Sequence, residues 1–304
     1  MRREFSSWIE NFGRGETRFI FLTGDLGFGA LENVQNALQE RFINMGVCEQ
    51  NMISVAAGLS QQGLLPLCYS IAPFAVFRPY EQIRLDVALH ELNVKIVGNG
   101  GGYGYGIMGA SHHALEDVAA LSALQHFCCF IPLCNSDVDG ACNSLFQYRG
   151  PSYLRLGFGV WPSSVGELPA FAPIRKLAVS RMAQPKATVV GMGPVLLNTL
   201  PWILEQGKTD LFAVSQVPLR ELSAEFKASV DASGLLWVIE EHVARGGLGE
   251  HLADLLAQRG IRFRLCHTHA QGYPDGLSGS QSYHQSRSGL DPVSLRSTYR
   301  QVAA

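Results

Sequence analysis

The residue with the clearest chemical potential is Glu49, which opens a predicted helix directly after a short buried strand. The helix dipole alone favours a glutamate in the first turn of a helix. However, the carboxyl end of a parallel strand is also where α/β sheets bind their ligands. A carboxylate that is partly buried there can exchange a proton near neutral pH. Spacing alone leaves both interpretations open.

A glycine-rich segment offers a second candidate site. Gly104, Gly106 and Gly109 spell the pattern G-x-G-x-x-G, and residues 111–113, Ser-His-His, follow it. A dinucleotide fingerprint lies between the first strand and the first helix of its fold, whereas this pattern follows a late strand. The glycines instead indicate backbone that packs closely against a ligand or a partner chain.

The bulk composition limits the classes of protein that need to be considered. The chain has 304 residues, of which 47% are hydrophobic, so it can form two domains with buried cores. A net charge of −2 does not indicate a nucleic-acid partner or an anionic membrane. The sequence contains no run of 18 apolar residues, so we expect no membrane span. The first residues lack the apolar core of a signal peptide.

The seven cysteines favour free thiols. Their number is odd, no two form a C-x-x-C pair, and several lie in apolar runs that are typical of strands. We therefore expect free, buried thiols in a reducing cytoplasm. No cluster of ligands at short fixed spacing is present, so we expect no metal site made by this chain alone.

The elements that must position these residues alternate between strands and helices. Predicted strands occupy 18–23, 41–44, 65–70, 94–97, 127–133 and 152–156, and predicted helices occupy 49–62, 78–90, 115–125 and 137–148. Short apolar strands that alternate with helices indicate a mostly parallel sheet with helices on both faces.

The alternation is interrupted once, which divides the chain into two predicted domains. Gly, Pro and Ser are frequent near 157–186, and we assign 1–158 to the first domain, 159–186 to a linker and 187–304 to the second domain. The second domain has predicted strands at 187–192, 210–215, 235–240 and 262–267. The polar segment 271–289 is predicted to be a surface loop, and a final helix begins at Asp291-Pro292.

Several segments resemble the transketolase family. Residues 25–29 and 41–51 resemble its pyrimidine-binding domain, most closely in the C-terminal subunits of two-gene transketolases. The similarity continues through 70–84, 109–117 and 153–157, and 238–242 and 246–249 resemble the C-terminal domain of the family. The resemblance implies a thiamine diphosphate pyrimidine-binding fold followed by a transketolase C-terminal-like fold.

The resemblance also implies roles for single residues. Glu49 matches the glutamate that hydrogen-bonds the aminopyrimidine ring of thiamine diphosphate and activates the cofactor. Phe74 and Phe77 match aromatic residues that flank this ring, and we place Phe77 ahead of Phe74. His112 matches a histidine that faces the substrate. Two further candidates are His113, for the substrate, and Asp25, for the cofactor.

Gly24-Asp25-Leu26 and Asn51 imitate the motif with which such enzymes bind the diphosphate and its metal. The second glycine of that motif is missing, and Asn51 lies inside a predicted helix. We therefore predict no diphosphate site in this chain. In the family that site, with its Mg²⁺, belongs to an N-terminal domain. The resemblance thus implies an N-terminal partner subunit and, by analogy, an α2β2 assembly.

Three positions depart from the family pattern. Met108 replaces an acidic residue that contacts a donor hydroxyl, Asn99 falls near a histidine position, and Phe158 falls on an arginine that grips the substrate phosphate. Methionine and phenylalanine cannot make those contacts. We therefore expect a smaller donor, such as the 2-oxo acid pyruvate, and a nucleotide-linked or otherwise unusual acceptor.

The predicted activity is the transfer of a ketol or acyl unit to an aldehyde or ketone. The main alternative is the beta subunit of the decarboxylating component of a 2-oxo acid dehydrogenase. An enzyme of the 1-deoxyxylulose phosphate synthase type is less favoured, because that enzyme is normally one long chain. A non-catalytic scaffold subunit is a further alternative, but it has no need to keep Glu49, the two phenylalanines and His112 together.

Overall fold

The computed structural model describes residues 1–273 and 275–303. Two single positions, 274 in the predicted surface loop and 304 at the end of the predicted second domain, lie outside the described residues. The strands are β1 Phe19–Thr23, β2 Phe42–Asn44, β3 Leu65–Ile71, β4 Lys95–Asn99, β5 Cys128–Phe130, β6 Ser152–Leu156, β7 Ile174–Ala178, β8 Ala187–Met192, β9 Thr209–Val214, β10 Gln216–Val217, β11 Leu235–Glu240 and β12 Arg264–His269.

The helices fill the connections between the strands. The α-helices are α1 Arg2–Gly15, α2 Glu32–Leu38, α3 Glu49–Gln61, α4 Ala72–Val76, α5 Tyr80–Gln82, α6 Asp117–Ser122, α7 Val138–Gln147, α8 Leu200–Gln206, α9 Ala224–Ser233, α10 Leu248–Ala257, α11 Gln281–Arg287 and α12 Pro292–Val302. A π-helical turn, Ile83–Ala88, continues α5. Short 3₁₀ turns occupy Gln39–Arg41, Gly106–Met108, Ala110–His112, Asn135–Asp137, Ser163–Val165 and Pro194–Thr199.

Two sheets organise the chain. The first has the strand order β10-β5-β6-β4-β3-β1-β2, and the second has the order β12-β11-β8-β9-β7. All pairs are parallel except β10 with β5 and β7 with β9, which lie at sheet edges. The predicted fold class, two mostly parallel sheets with helices, is confirmed.

Helices cover both faces of the first sheet because its strands are apolar on both sides. Phe19 and Phe21 of β1 pack in one cluster with α1, α2 and α7, whereas Leu22 packs in another with α3, α4 and α6. This second cluster continues into the second sheet, where it includes Val190, Phe212 and residues of α9 and α10. The two sheets therefore share part of one core.

The border between the two halves is less simple than the predicted linker suggests. Within 159–186, Ile174–Ala178 forms β7, which pairs with β9 of the second sheet. In return, β10 from the second half pairs with β5 of the first sheet, with Gln216 opposite Phe130. The limits of the domains stay a prediction, since the chain crosses between the sheets more than once.

Part of the predicted surface loop 271–289 is helical, so that prediction was wrong for α11. The cause is local, because the Ser280 side chain caps the helix by accepting a hydrogen bond from the Tyr283 N–H. None of the seven cysteines forms a disulfide, and Cys48 is exposed rather than buried. Among the described helices, none combines the length and apolar character needed to cross a bilayer.

Candidate functional site

The Glu49 carboxylate is buried at the carboxyl edge of the first sheet. Glu49 is the first residue of α3, which follows β2, and only 1% of it is exposed. The buried Ser70 hydroxyl, near the end of β3, donates a 3.0 Å hydrogen bond to Oε1. The interpretation of Glu49 as only a helix-start residue does not explain this burial, since an N-terminal glutamate favoured by the dipole is normally solvated.

A cation that the sequence analysis did not identify completes the surroundings of Glu49. The Arg78 Nη1 lies 3.0 Å from Oε2 and 3.2 Å from Oε1. The guanidinium carbon also lies 3.7 Å from the centroid of the Phe74 ring, so the group is stacked on the aromatic face. The only available signal was the position of Arg78 directly after Phe77, which does not reveal a contact with Glu49.

Phe74 links the carboxylate to His112. The Phe74 ring lies 4.9 Å from the imidazole of His112 in an edge-to-face arrangement. The structure therefore brings three of the predicted site residues, Glu49, Phe74 and His112, into one continuous surface. Phe77 is partly exposed, at the end of α4.

The surroundings of Glu49 fit a flat heteroaromatic ring. Gly24 lies beside the carboxylate, and a Cβ at this position would lie 3.4 Å from both Glu49 Oε1 and Ser70 Oγ. A buried carboxylate, an aromatic face and a glycine beside them can bind a planar ring that carries a hydrogen-bonding nitrogen. The aminopyrimidine of thiamine diphosphate has this chemistry.

His112 and Met108 lie on a long loop after β4, in two successive 3₁₀ turns. The imidazole Nδ1 lies 3.0 Å from the Ser111 hydroxyl, and 55% of Met108 is exposed. An antiparallel bridge between Gly102 and Ala114 closes the base of the loop. Both side chains are thus presented by a loop whose base is fixed.

The second half of the chain fixes this base. Glu241, directly after β11, accepts a 2.6 Å hydrogen bond from the Tyr103 N–H, and a Cβ at Gly102 would lie 2.3 Å from its Oε1. Only glycine fits this approach, and Gly102 also has a φ of +65°. Burial raises the pKa of Glu241. The buried Arg155 donates to the Ala114 and Glu241 carbonyls, which joins the two halves.

His113 occupies a different environment from its neighbour. It is 3% exposed, its ring stacks on Tyr273, and its Nε2 lies 3.3 Å from the Gly106 carbonyl oxygen. The imidazole of His284 is 4.7 Å away, and burial lowers the pKa of His113. The structure does not bring His113 together with Glu49, and its proposed contact with a substrate remains a prediction.

Asn99 and Phe158 line one groove, with a volume of about 470 Å³. The Asn99 side-chain amide donates to the Tyr105 hydroxyl, and 69% of Phe158 is exposed. Arg2 and Arg3, at the start of α1, line the same groove. The sequence analysis missed both arginines because it did not predict α1.

Asp25 lies at the rim of the site. Its carboxylate accepts a 2.8 Å hydrogen bond from the Asn44 amide, and its backbone has a φ of +57°. The contact with Asn44 links the ends of β1 and β2, whereas Asn51 is exposed on α3. Within residues 1–273 and 275–303, no group of three or more His, Cys, Asp or Glu side chains could hold a metal ion.

Residues 1–157 match the family model described as the transketolase pyrimidine-binding domain. The chain therefore belongs to the transketolase family, which confirms the resemblance. It is similar along most of its length to the C-terminal parts of split transketolases. One of the subunits of the apulose-4-phosphate transketolase of Actinobacillus succinogenes is 28% identical over 263 residues, which cover 84% of this chain and 83% of the relative.

Two further comparisons agree. The putative transketolase C-terminal section of Methanocaldococcus jannaschii is 28% identical, over 87% of this chain and 84% of the relative. A solved chain described as a split gene transketolase, inactive beta4 tetramer, superposes with a TM-score of 0.82 at 26% identity. The superposition covers 99% of this chain and 97% of that chain.

Proposed function

We propose that this chain is the catalytic-glutamate subunit of a two-component, thiamine diphosphate-dependent enzyme of the transketolase type. In this proposal it transfers a ketol or acyl unit from a ketose or 2-oxo acid to an aldehyde or ketone. The observation that carries the proposal is the buried Glu49 carboxylate beside the Phe74 ring. Family membership supports dependence on thiamine diphosphate.

The cofactor, when bound, supplies the electron sink that allows a carbon–carbon bond next to a carbonyl to break and form. The protein residues bind, orient and exchange protons. Glu49 holds a proton at the ring nitrogen that faces it, and Ser70 fixes the carboxylate by donating to Oε1. Phe74 supports the ring face. His112 donates a hydrogen bond to a substrate oxygen, in the position that its loop gives it.

The proposed donor follows from Met108. Its exposed thioether shares a loop with His112 but cannot pair with a donor hydroxyl. A 2-oxo acid such as pyruvate has no hydroxyl at that position, so we favour this donor class. The rival is a ketose phosphate, which the name of the Actinobacillus succinogenes relative supports. A donor screen in which xylulose 5-phosphate clearly exceeds pyruvate would eliminate the 2-oxo acid.

The acceptor end of the groove is cationic despite the replacement at Phe158. Arg2 and Arg3 line the groove together with Phe158, so they can pair with an anionic group on the acceptor. The proposal of an unusual acceptor is therefore narrowed to one that carries a phosphate or another anion at this end.

Partner dependence is supported by the exposed apolar side chains around the site. Phe28 is fully exposed, and Val47, Met108 and Phe158 are more than half exposed. Exposed apolar side chains at one edge of a sheet are typical of a protein interface. The solved similar chain is described as an inactive tetramer of beta chains. In our proposal, the diphosphate and Mg²⁺ are held by an N-terminal partner subunit in an α2β2 assembly.

The experiment that tests the proposal replaces Glu49 by alanine in the complex with the partner subunit. Loss of a proton-transfer group should lower turnover by about 10²-fold or more. The matched control is Glu81→Ala, because Glu81 forms an exposed ion pair with Arg84. Undiminished turnover in Glu49→Ala would contradict the proposal and favour a non-catalytic scaffold.

A further inference from the structure

The Arg78 guanidinium makes the two contacts that a pyrimidine ring needs in this site. It is planar and lies 3.7 Å above the Phe74 ring, which is a stacking distance. Its Nη1 donates to both oxygens of Glu49, at 3.0 and 3.2 Å. An aminopyrimidine is likewise planar and would present a nitrogen to the same carboxylate. The guanidinium and this ring therefore require the same two partners.

We propose that Arg78 is an internal competitor for the pyrimidine subsite and that the cofactor ring displaces it. The inference rests on the proposed function of Glu49. Arg78 can leave without disrupting the core, because its side chain is 39% exposed, whereas that of Glu49 is only 2% exposed. Ser70 continues to donate to Glu49 Oε1 while the two groups exchange.

The exchange has a consequence for selectivity. A buried carboxylate without a charged or hydrogen-bonding partner is strongly destabilised, so Glu49 keeps Arg78 until another donor reaches it. Only a planar group that both stacks and donates can replace the two contacts together. Competition of this kind lowers the apparent affinity for the cofactor by the fraction of molecules whose subsite is free.

The test measures the affinity of the complex with its partner subunit for thiamine diphosphate and Mg²⁺ by titration calorimetry. Arg78→Met removes the competitor but keeps a long side chain, and we expect about fivefold or greater tightening of Kd. Arg84→Met is the matched control, since Arg84 is exposed and pairs with Glu81 rather than with the site. Its Kd should equal that of the unmodified complex.

Arg78→Lys provides a second variant that keeps the charge. Lysine can pair with Glu49 but cannot stack as a plane on Phe74, so its Kd should lie between those of the unmodified complex and Arg78→Met. The inference also holds if only this variant folds and its Kd is tighter. An unchanged or weaker Kd in every Arg78 variant that folds would overturn the competition.

The Glu49→Ala complex separates this inference from the proposed function. If it has lost turnover while Arg78→Met binds the cofactor no more tightly, only the competition is wrong. If it retains turnover, the proposed function itself fails, and the inference fails with it.

Discussion

At the scale of single residues, the site is defined by how the Glu49 carboxylate is satisfied. One donor, Ser70, is neutral and fully buried, and the other, Arg78, is charged and partly exposed. The resemblance identified Glu49 from the sequence, but neither donor could be assigned. Ser70 is 21 residues away and Arg78 is 29 residues away along the chain, so only the strand order brings them together.

The donor preference can be tested by restoring an acidic residue. Met108→Asp supplies a hydrogen-bond acceptor that a hydroxylated donor can use, which is worth about tenfold in relative efficiency. We expect the ratio of kcat/KM for xylulose 5-phosphate to that for pyruvate to rise. Ile107→Asp is the control, because Ile107 is an exposed neighbour in the same turn. An unchanged ratio in Met108→Asp would show that this position does not read the donor.

The acceptor charge can be tested at the start of α1. Arg2→Gln and Arg3→Gln should each raise the KM for a phosphorylated aldehyde by about tenfold, since they remove a charge-assisted hydrogen bond. The KM for the same aldehyde without its phosphate should stay unchanged. Arg14→Gln, at the other end of the helix, is the control, because Arg14 pairs with Glu10. Equal effects on both aldehydes would exclude anion binding in the groove.

At the scale of elements, the central strands were predictable and the edges were not. The strands β1, β3 and β8 are short apolar runs buried on both faces, so composition alone locates them. In contrast, β7 is only partly buried and β10 has two residues, so each depends on pairing with a distant strand. The glycines after β4 correctly indicated close packing, but not that Glu241 lies against Gly102.

The loop that carries His112 should make stability depend on pH through His113. The pKa of His113 is lowered by burial, so between its folded value and the unfolded value near 6.5 the unfolded chain binds more protons. Stability therefore rises with pH across this window and falls as the pH drops below about 6.5. His113→Gln should flatten this slope.

Urea unfolding at several pH values between 5 and 7.5 measures this slope. His90→Gln is the control, because His90 is exposed on the opposite part of the first half of the chain, after the π-helical turn. A slope that is identical in His113→Gln and in the unmodified chain would show that the buried imidazole does not contribute to acid sensitivity.

At the scale of the whole molecule, the two sheets are mutually dependent. One apolar cluster includes side chains from both, β10 completes the edge of the first sheet, and Arg155 donates to the carbonyl of Glu241. The predicted division at 158 separated two folds correctly in kind, since each half has its own sheet. It could not show the shared core, because composition does not reveal which helix faces meet.

A fragment of residues 1–158 tests this dependence. It lacks β10, so the edge of β5 is unpaired, and it loses the part of the core that the second half supplies. We expect the fragment to aggregate or to lack a cooperative thermal transition, measured by size-exclusion chromatography and circular dichroism. A monomeric fragment that unfolds cooperatively would show that the first half folds independently.

The central claim is that this chain supplies half of a shared cofactor site. The most direct measurement is a calorimetric titration of thiamine diphosphate and Mg²⁺ into the chain alone and into its mixture with the diphosphate-binding subunit. We predict tight binding only in the mixture, because Glu49 and Phe74 contact one ring of the cofactor and the partner binds the diphosphate. Tight binding by the chain alone would contradict the account and place the diphosphate site within this chain.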